Sequence, residues 1–452
     1  MDMKFNIIIR RLVPSKQLLP VLSSYLFDSI AVSIYGTFFA IWLSEELVSS
    51  YFVISTIIAF PPILALIGTT FLSSLSDKTG KRKEIMAFSR LFLVLQYLLL
   101  IFINKTIWVV LLIVGTTGIF TQVYYVMNNT LTTTLCSSEQ KGEMSSYQLI
   151  FSSLGWMIGS GTSGLLYNKW SILGCLCFAA ISAFIAGIIA LFSPNRLKDE
   201  EQNKAKEVEE TNDCVFETID SSEEVIPLIH GSTNGISSRM ITTCPKSSSF
   251  WGILKRQQVI ILLITIGIFE LSLGPYFTLG TVYLKQIVGL SNNQVSLAFT
   301  LSTLVGMITL FVISKIIDNY GRKQFLIFCL TFYAIHFIIF YFLSWSVIGI
   351  IIMWAVPLYA FRSPVVNTMM ADITSDHERA RGMALLQYEQ VLTINTGAII
   401  GGLICDKFTY GLKAIPITIV IFSLIALVLA IIAIKETNSK YLKKKMLKQI
   451  NQ

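Results

Sequence analysis

Charged residues are scarce in this chain of 452 residues: they make up 14% of it, whereas hydrophobic residues make up 54% and the mean hydropathy is +0.67. Water-soluble domains carry about 25% charged residues. Apolar runs of about 20 residues recur along nearly the whole length, and each is long enough to cross a hydrocarbon core of about 30 Å. Because backbone groups inside a bilayer must satisfy their own hydrogen bonds, the sequence predicts an all-α integral membrane protein.

The sequence also lacks the signatures of catalysis and cofactor binding. The seven cysteines are scattered without a CxxC pair, which favours inert thiols over disulfides or a metal site. A GxxxxGK[ST] loop is missing, which argues against an ATP-driven pump. The three histidines, His230, His336 and His377, lie far apart in the chain and form no nucleophile–base or metal-binding pattern. We therefore expect no enzymatic activity, no cofactor and no metal.

The apolar runs predict twelve membrane-spanning helices. Their expected positions are 18–43, 51–75, 84–103, 107–128, 145–167, 171–192, 258–284, 292–314, 324–343, 346–370, 384–405 and 412–434. The segment between the sixth and seventh spans is rich in charge, Ser and Asn, which is typical of a disordered linker. The predicted regions are an N-terminal six-helix half (1–192), a cytoplasmic linker (193–257), a C-terminal six-helix half (258–434) and a basic cytoplasmic tail (435–452).

The basic residues predict how the helices are oriented. With the N-terminus in the cytoplasm, twenty Lys and Arg residues lie on the cytoplasmic side outside the linker and only five on the opposite side. This bias predicts that both termini and the linker are cytoplasmic, in a multi-pass protein of the plasma membrane. The net charge of +8 is therefore an orientation signal, and we expect the lipid bilayer as a partner and no nucleic acid.

Two similar polar segments divide the chain into a repeat. SSLSDKTGKRKE at 73–84 and SKIIDNYGRKQF at 314–325 are 241 residues apart and occupy the same place between apolar runs. The same offset aligns Ser50 with Ser291. A constant register predicts two homologous halves. Because each half has an even number of spans, both insert the same way round.

The first polar segment resembles the signature of the major facilitator superfamily, roughly G-x-L-x-D-[RK]-x-G-[RK]-[RK], read here as S-S-L-S-D-K-T-G-K-R. The stretches FFAIWLSEEL and SLGWMIGSGTSGLLY are most similar to its sugar-efflux and drug-efflux branches. The resemblance implies a monomeric transporter with twelve helices in two parallel repeats. It also implies that the motif residues form a gate; these are Asp77, Gly80, Lys81, Arg82, Asp318, Gly321, Arg322 and Lys323.

Two of these motif positions have a further physical requirement. Gly80 and Gly321 permit a tight turn with positive φ. The resemblance implies that Asp77 and Asp318 latch the halves in one access state. The alternative is that the loops serve only as topology anchors through their basic residues.

Charged residues also lie inside the predicted spans. Arg90 is about two turns from the cytoplasmic end of span 3, so we expect its long side chain to snorkel to the surface. Arg362 lies too deep in span 10 for that, and Asp28 and Glu270 lie near mid-depth, 242 residues apart. A charge at that depth marks a functional site by default, with structural ion pairing as the alternative.

The resemblance implies that spans 1, 4, 7 and 10 line a central cavity, and Asp28, Glu270 and Arg362 lie on those spans. Other polar and aromatic residues predicted to line it are Gln122, Tyr124, Tyr125, Asn128, Asn129, Tyr276 and Asn367. Such side chains suit a neutral, hydroxylated or amphipathic solute. His336 is expected to be structural, and Glu389 to serve the cytoplasmic gate.

The prediction is a proton-coupled secondary transporter that moves a small solute by alternating access, with export of sugars or drugs favoured. Asp28 and Glu270 are the candidates for proton coupling, and Arg362 for binding an anionic group or neutralising one of the acids. An acid permanently paired with an arginine would not carry protons. Ser160, where antiporters of the family have Pro, and the missing Arg motif in span 4 count against proton antiport. An uncoupled facilitator, or a membrane receptor or scaffold with the linker as its docking surface, remains an alternative.

Overall fold

The structure, a computed structural model, describes residues 18–103, 106–134, 141–194, 250–375 and 378–438. The side chains at 77, 133–134, 141–146, 311, 314–315, 318–320 and 380 are not included in this description. The described part of the chain consists of helices and their connections and contains no strand. The predicted linker from 195 to 249 and the tail from 439 lie outside the described residues.

Six helices form the N-terminal half. They are α1 (Leu19–Trp42), α2 (Tyr51–Thr79), α3 (Arg82–Phe102), α4 (Ile107–Thr134), and α5 and α6, which share the helical segment Lys141–Leu191. The last two meet at Ser171, whose φ of 53° and ψ of −153° interrupt the helical backbone. Ser50 caps α2 by accepting a hydrogen bond from the Val53 N–H. Gly80 ends the same helix with a φ of 64°, which confirms the positive φ predicted for that glycine.

Six further helices form the C-terminal half. They are α7 (Gln257–Gln286), α8 (Asn292–Tyr320), α9 (Arg322–Phe342), α10 (Val347–Ala355 and Leu358–Ile373), α11 (Arg379–Lys407) and α12 (Ala414–Ala433). The two parts of α10 are separated at Val356 and Pro357, because proline lacks the N–H that would continue the helix. Gly321 has a φ of 89° between α8 and α9, again as predicted.

Ten helices in the described ranges are long and apolar enough to cross a membrane. One of them, Tyr147–Leu191 with 45 residues, contains predicted spans 5 and 6 on either side of the break at Ser171. Predicted span 11 corresponds to α11, which is not among the ten. Its middle is polar, because Gln387, Glu389 and Gln390 lie within one turn of the helix.

The short helix Phe250–Leu254 lies at the C-terminal end of the predicted linker. Ile253 in this helix is buried, and the Phe250 ring lies 6.5 Å from the Tyr388 ring of α11. Enough apolar side chains therefore precede α7 to pack against the C-terminal half.

The two halves meet along two seams, α2 against α11 and α5 against α8. Glycines make both contacts close. A Cβ on Gly402 of α11 would lie 2.7 Å from the Tyr51 carbonyl oxygen, and one on Gly164 of α5 would lie 2.8 Å from the Asn292 carbonyl oxygen. The glycines of these helices therefore permit the backbones to approach each other.

Candidate functional site

A buried ion pair joins Asp28 of α1 to Arg90 of α3 inside the N-terminal half. Both side chains are 0% exposed. Arg90 Nη2 also donates a hydrogen bond to the Thr121 carbonyl oxygen in α4 at 2.9 Å. The guanidinium carbon lies 4.0 Å from the centre of the Tyr124 ring. The ion pair, the hydrogen bond and the cation–π contact together replace the water that both charges lose on burial.

The prediction that Arg90 snorkels to the membrane surface is therefore wrong. Snorkelling was inferred from the distance to the end of one helix. The side chain instead points across the bundle to a carboxylate 62 residues earlier in the chain. A buried carboxylate without a partner would be more costly than keeping the guanidinium inside.

A second buried ion pair joins Glu270 of α7 to Arg362 of α10 in the C-terminal half. Two α11 side chains complete its surroundings: Gln390 Nε2 donates to Glu270 Oε1 at 3.2 Å, and Thr393 Oγ1 lies 3.3 Å from Glu270 Oε2. The same Thr393 hydroxyl lies 3.1 Å from Glu389 Oε1. Two carboxylates therefore lie beside one hydroxyl group, and one of them, Glu270, pairs with the guanidinium; we call Glu270, Arg362, Glu389, Gln390 and Thr393 the C-half cluster.

Glu389 lies deeper than the sequence indicated. Helix α11 begins at Arg379, five residues before the predicted start of span 11. At about 1.5 Å per residue, Glu389 is about 15 Å along the helix from its first residue, near the middle of a membrane span. Its contact with Thr393 joins it to Glu270, whereas the sequence suggested a role at the gate. Gly267 of α7 leaves space for it, since a Cβ there would lie 2.7 Å from Glu389 Oε1.

The two ion pairs differ in which helix supplies the arginine. Helices α9 and α10 begin 240 residues after α3 and α4, so Arg362 corresponds to Gln122, next to Thr121. The Arg90 side chain starts on α3 and contacts α4 at Thr121. This contact is one residue away from Gln122, the position on α4 that corresponds to Arg362 on α10. The surroundings also differ in charge: Asp28 and Arg90 balance each other, whereas the C-half cluster has two acidic groups and one basic group.

The predicted cavity residues of α4 divide into two groups. Tyr124 and Asn128 are buried and bonded within their own half, Tyr124 through its hydroxyl to Ser24 Oγ at 2.7 Å. Asn128 Nδ2 donates to the Val21 carbonyl oxygen at 3.2 Å. In the second group, Gln122 and Tyr125 are half-buried and Asn129 is exposed. The first group holds α4 against α1, whereas the second group is not fully buried, and the Tyr125 ring lies 5.8 Å from the Arg90 guanidinium carbon.

In the C-terminal half, Asn367 is exposed and Tyr276 packs in an aromatic cluster. The Tyr276 ring lies 5.3 Å from Phe337 and 4.9 Å from Trp354, measured between ring centres. His336 is buried in the same cluster, with its ring 5.2 Å from that of Phe337. Its surroundings are thus those of a packed structural residue.

The second polar motif is tied to neighbouring helices by residues that the sequence did not single out. Arg322 Nε lies 3.0 Å from Asp372 Oδ2, near the end of α10. Glu436, just after α12, accepts hydrogen bonds from the backbone N–H groups of Arg322 and Lys323 at 2.8 and 3.1 Å. A carboxylate at this place satisfies N–H groups that the first turn of α9 leaves free. The side chains of Asp77 and Asp318 lie outside the described part, so their predicted latch stays a prediction.

Comparison with solved structures identifies the same architecture in known transporters. The chain aligns with a mutant of the nucleoside transporter NupG at 13% identity, over 92% of this chain and 98% of that one, with a TM-score of 0.66. A D-xylose-proton symporter aligns at 14% identity over 93% and 98%, with a TM-score of 0.68. A bacterial homologue of the human lysosomal transporter Spinster, in an inward-facing and unoccupied conformation, aligns at 13% over 95% and 98%, with a TM-score of 0.66.

These identities are low enough that the structural likeness concerns the fold alone. No curated protein sequence matches the chain significantly. The sequence does match the family profile described as Major Facilitator Superfamily, over residues 21–361 and 274–451, which together include most of the chain. The profile match, the twelve-helix fold in two halves and the apolar helices agree, and this membrane transport protein belongs to the major facilitator superfamily.

Proposed function

We propose that this protein is a proton-coupled secondary transporter that moves a small solute by alternating access, with the C-half cluster as its coupling site. The observation that carries the proposal is the unequal charge of the groups around the two buried ion pairs. In the described part of the chain, Arg362 is the basic side chain that pairs with this cluster, against the carboxylates of Glu270 and Glu389. An uncompensated buried carboxylate is costly, and binding a proton removes that cost.

In this proposal the proton is shared by Glu270 and Glu389, whose carboxylates both lie within 3.3 Å of the Thr393 hydroxyl and are close enough to interact. Arg362 keeps one negative charge in place, and the proton neutralises the other. Movement of α7 or α10 relative to α11 changes how far Arg362 compensates each acid. Such a change links the protonation state to the arrangement of the helices, as coupling requires.

Asp28 takes a different role in this proposal. Its carboxylate pairs with one arginine of opposite charge, Arg90, and both side chains are 0% exposed. A proton carrier must exchange with water in at least one access state, and a permanently paired acid does not. We therefore assign Asp28 and Arg90 to holding α1 against α3 and α4.

The solute that fits best is a small hydroxylated or amphipathic molecule. Gln122 and Tyr125 of α4 and Asn367 of α10 carry amide and hydroxyl groups and are not fully buried. These groups pair with hydroxyls without requiring a charge on the solute. Export is the proposed direction, from the resemblance of the sequence to efflux branches, and the motif loops are assigned to the cytoplasmic side from the distribution of Lys and Arg.

The test combines ligand discovery with transport in proteoliposomes. A thermal-shift screen against sugars, nucleosides and amphipathic drugs identifies a ligand, because a molecule that binds the folded state raises the melting temperature. Uptake driven by an imposed pH gradient is then compared with counterflow exchange. Glu389→Gln and Glu270→Gln are expected to abolish the response to the pH gradient and to retain counterflow, whereas folded Asp28→Asn protein retains the pH response.

Other outcomes select the alternatives. Counterflow and downhill flux without any response to the pH gradient in the unmodified protein would identify an uncoupled facilitator. A pH response that survives in both glutamate variants would overturn the assignment of the coupling site. Absence of flux for every ligand, combined with loss of bound partners when 195–249 is deleted, would favour a receptor or scaffold.

A further inference from the structure

Helix α2 is capped at its N-terminus by a carboxylate from the other half of the molecule. Asp406, near the end of α11, accepts hydrogen bonds from the backbone N–H groups of Tyr51 at 2.7 Å and Phe52 at 3.0 Å. It also accepts one from Ser50 Oγ at 2.6 Å. The first N–H groups of a helix have no acceptor within the helix, and negative charge is stabilised there. These three hydrogen bonds cross the seam between α2 and α11.

Helix α8, which corresponds to α2 in the C-terminal half, is capped without an acceptor from the other half. Ser291, the repeat partner of Ser50, belongs to a complete capping box, in which its hydroxyl accepts from the Gln294 N–H and the Gln294 side chain accepts from the Ser291 N–H. The residue that aligns with Gln294 at the same offset is Val53, whose side chain cannot accept a hydrogen bond from the Ser50 N–H. Helix α8 is therefore capped within its own half, and α2 is completed only by Asp406.

The second seam, at the same end of the molecule, is joined between α5 and α8 by neutral amide side chains, and Lys285 Nζ lies 4.0 Å from Glu45 Oε1 in a further contact between the halves. Asn168 of α5 donates to Asn293 Oδ1 at 2.9 Å and accepts from Asn292 Nδ2 at 2.7 Å. These amide pairs occupy the place that Asp406 and the start of α2 occupy in the first seam. A bond from a carboxylate to backbone N–H groups is stronger than one between neutral amides. The two seams therefore lie at corresponding positions, but the hydrogen bonds to Asp406 are stronger than those between the amides.

We propose that Asp406 is a conformational latch that holds the halves together at the end opposite the motif loops. Opening that end separates α11 from α2, so the N–H groups of Tyr51 and Phe52 lose their acceptor and the Ser50 hydroxyl loses its partner on α11. Opening of the other seam exposes no uncapped helix, because α8 keeps its own box. Asp406 therefore favours the conformation closed at this end. This role rests on the alternating access of the proposed function and does not depend on proton coupling or on the identity of the solute.

A native thiol beside the latch reports on the seam. Cys405 is 4% exposed and lies next to the latch residue on α11. Its reaction with a membrane-impermeant maleimide requires the seam to open, so the labelling rate follows the open population. The experiment uses full-length protein in nanodiscs with the other six cysteines replaced, including the exposed Cys177.

Asp406→Asn is expected to raise the labelling rate of Cys405 by roughly three- to tenfold, in line with the loss of a helix cap. Ser50→Ala, which removes one of the three bonds, is expected to give a smaller rise. The matched control at the neutral seam is Asn168→Ala, which should change the rate by less than roughly twofold. A labelling rate of folded Asp406→Asn protein equal to that of the unmodified protein would overturn the latch.

A second variant separates a latch from a purely local cap. Val53→Gln supplies the side chain that the capping box of α2 lacks, so it should restore the melting temperature of Asp406→Asn protein. It cannot restore the link to α11, and the labelling rate should stay raised. If Val53→Gln returned both quantities to their original values, Asp406 would be only a helix cap. Labelling needs no transported solute. A raised labelling rate without solute flux would therefore support the latch and contradict the proposed transport function.

Discussion

Arg90 and Arg362 each form an ion pair with a buried carboxylate, yet they extend from helices that do not correspond in the two halves. Arg90 is on α3 and Arg362 is on α10, the counterpart of α4. The repeat has therefore kept an acid on its first helix, at Asp28 and Glu270, and obtained the compensating charge from two different places. Equivalent acids then have unlike surroundings, and we expect unlike responses to mutation.

The N-terminal ion pair is expected to be structural. Arg90→Met leaves Asp28 buried without a partner, which should lower the free energy of unfolding by about 3–5 kcal/mol. The double variant Asp28→Asn with Arg90→Met removes both charges and should recover most of that loss. Melting temperatures in detergent, compared among the single variant, the double variant and the unmodified protein, provide the measurement. A single variant as stable as the double would contradict a structural pair.

Gly267 is expected to control the coupling site without contributing a titrating group. The Cβ in Gly267→Ala would lie 2.7 Å from Glu389 Oε1, so the carboxylate must move away from Thr393 and Glu270. We expect a weaker response of uptake to the pH gradient, with counterflow retained. Gly36→Ala is the control, because a Cβ there meets nothing within 4 Å. Equal pH responses in the two variants would argue against a coupling role for the position of Glu389.

Glu436 is expected to stabilise the start of α9. Glu436→Ala leaves the N–H groups of Arg322 and Lys323 without their acceptor, and the loss of a helix cap costs about 0.5–2 kcal/mol. Hydrogen exchange should become faster in the first turn of α9 and stay unchanged in the first turn of α3. Uniform acceleration in both helices would indicate a general loss of stability and no specific cap.

Much of this architecture follows from patterns along the sequence. Apolar runs located the helices, because a membrane span needs a minimum length of apolar residues, and positive φ was predicted at Gly80 and Gly321 from the shared turn motif. Span 11 was predicted as well, but α11 begins five residues before the predicted start and has a polar middle. Its Gln390 and Thr393 donate to an acid on α7, and that need becomes visible only when the helices are assembled.

The residues that the sequence missed or misjudged share one property, which is a partner far away in the chain. Arg90 was judged by its distance from the end of its own helix, and its partner lies 62 residues away. Asp406 caps a helix that begins 355 residues earlier. A motif or a periodicity describes neighbours in sequence. Such long-range pairings depend on how helices pack, and no signal in a single sequence specified them.

Close packing at the latch seam is expected to act separately from its charge. A Cβ in Gly402→Ala would lie 2.7 Å from the carbonyl oxygen of Tyr51, which is backbone and cannot turn aside, so α11 and α2 must move apart. We expect the labelling rate of Cys405 to rise as it does for Asp406→Asn. Salt distinguishes the causes: Asp406 is exposed, and added salt screens a charge at the surface, whereas it has no effect on overlap of atoms.

Raising the salt concentration should therefore increase the Cys405 labelling rate of the unmodified protein toward that of Asp406→Asn. At high salt, Gly402→Ala should still label faster than the unmodified protein. If salt removed the effect of Gly402→Ala as well, the seam would be held by charge alone. If salt left the unmodified protein unchanged, the hydrogen bonds of Asp406 would hold the seam without help from the helix dipole, because that contribution is the part that salt screens.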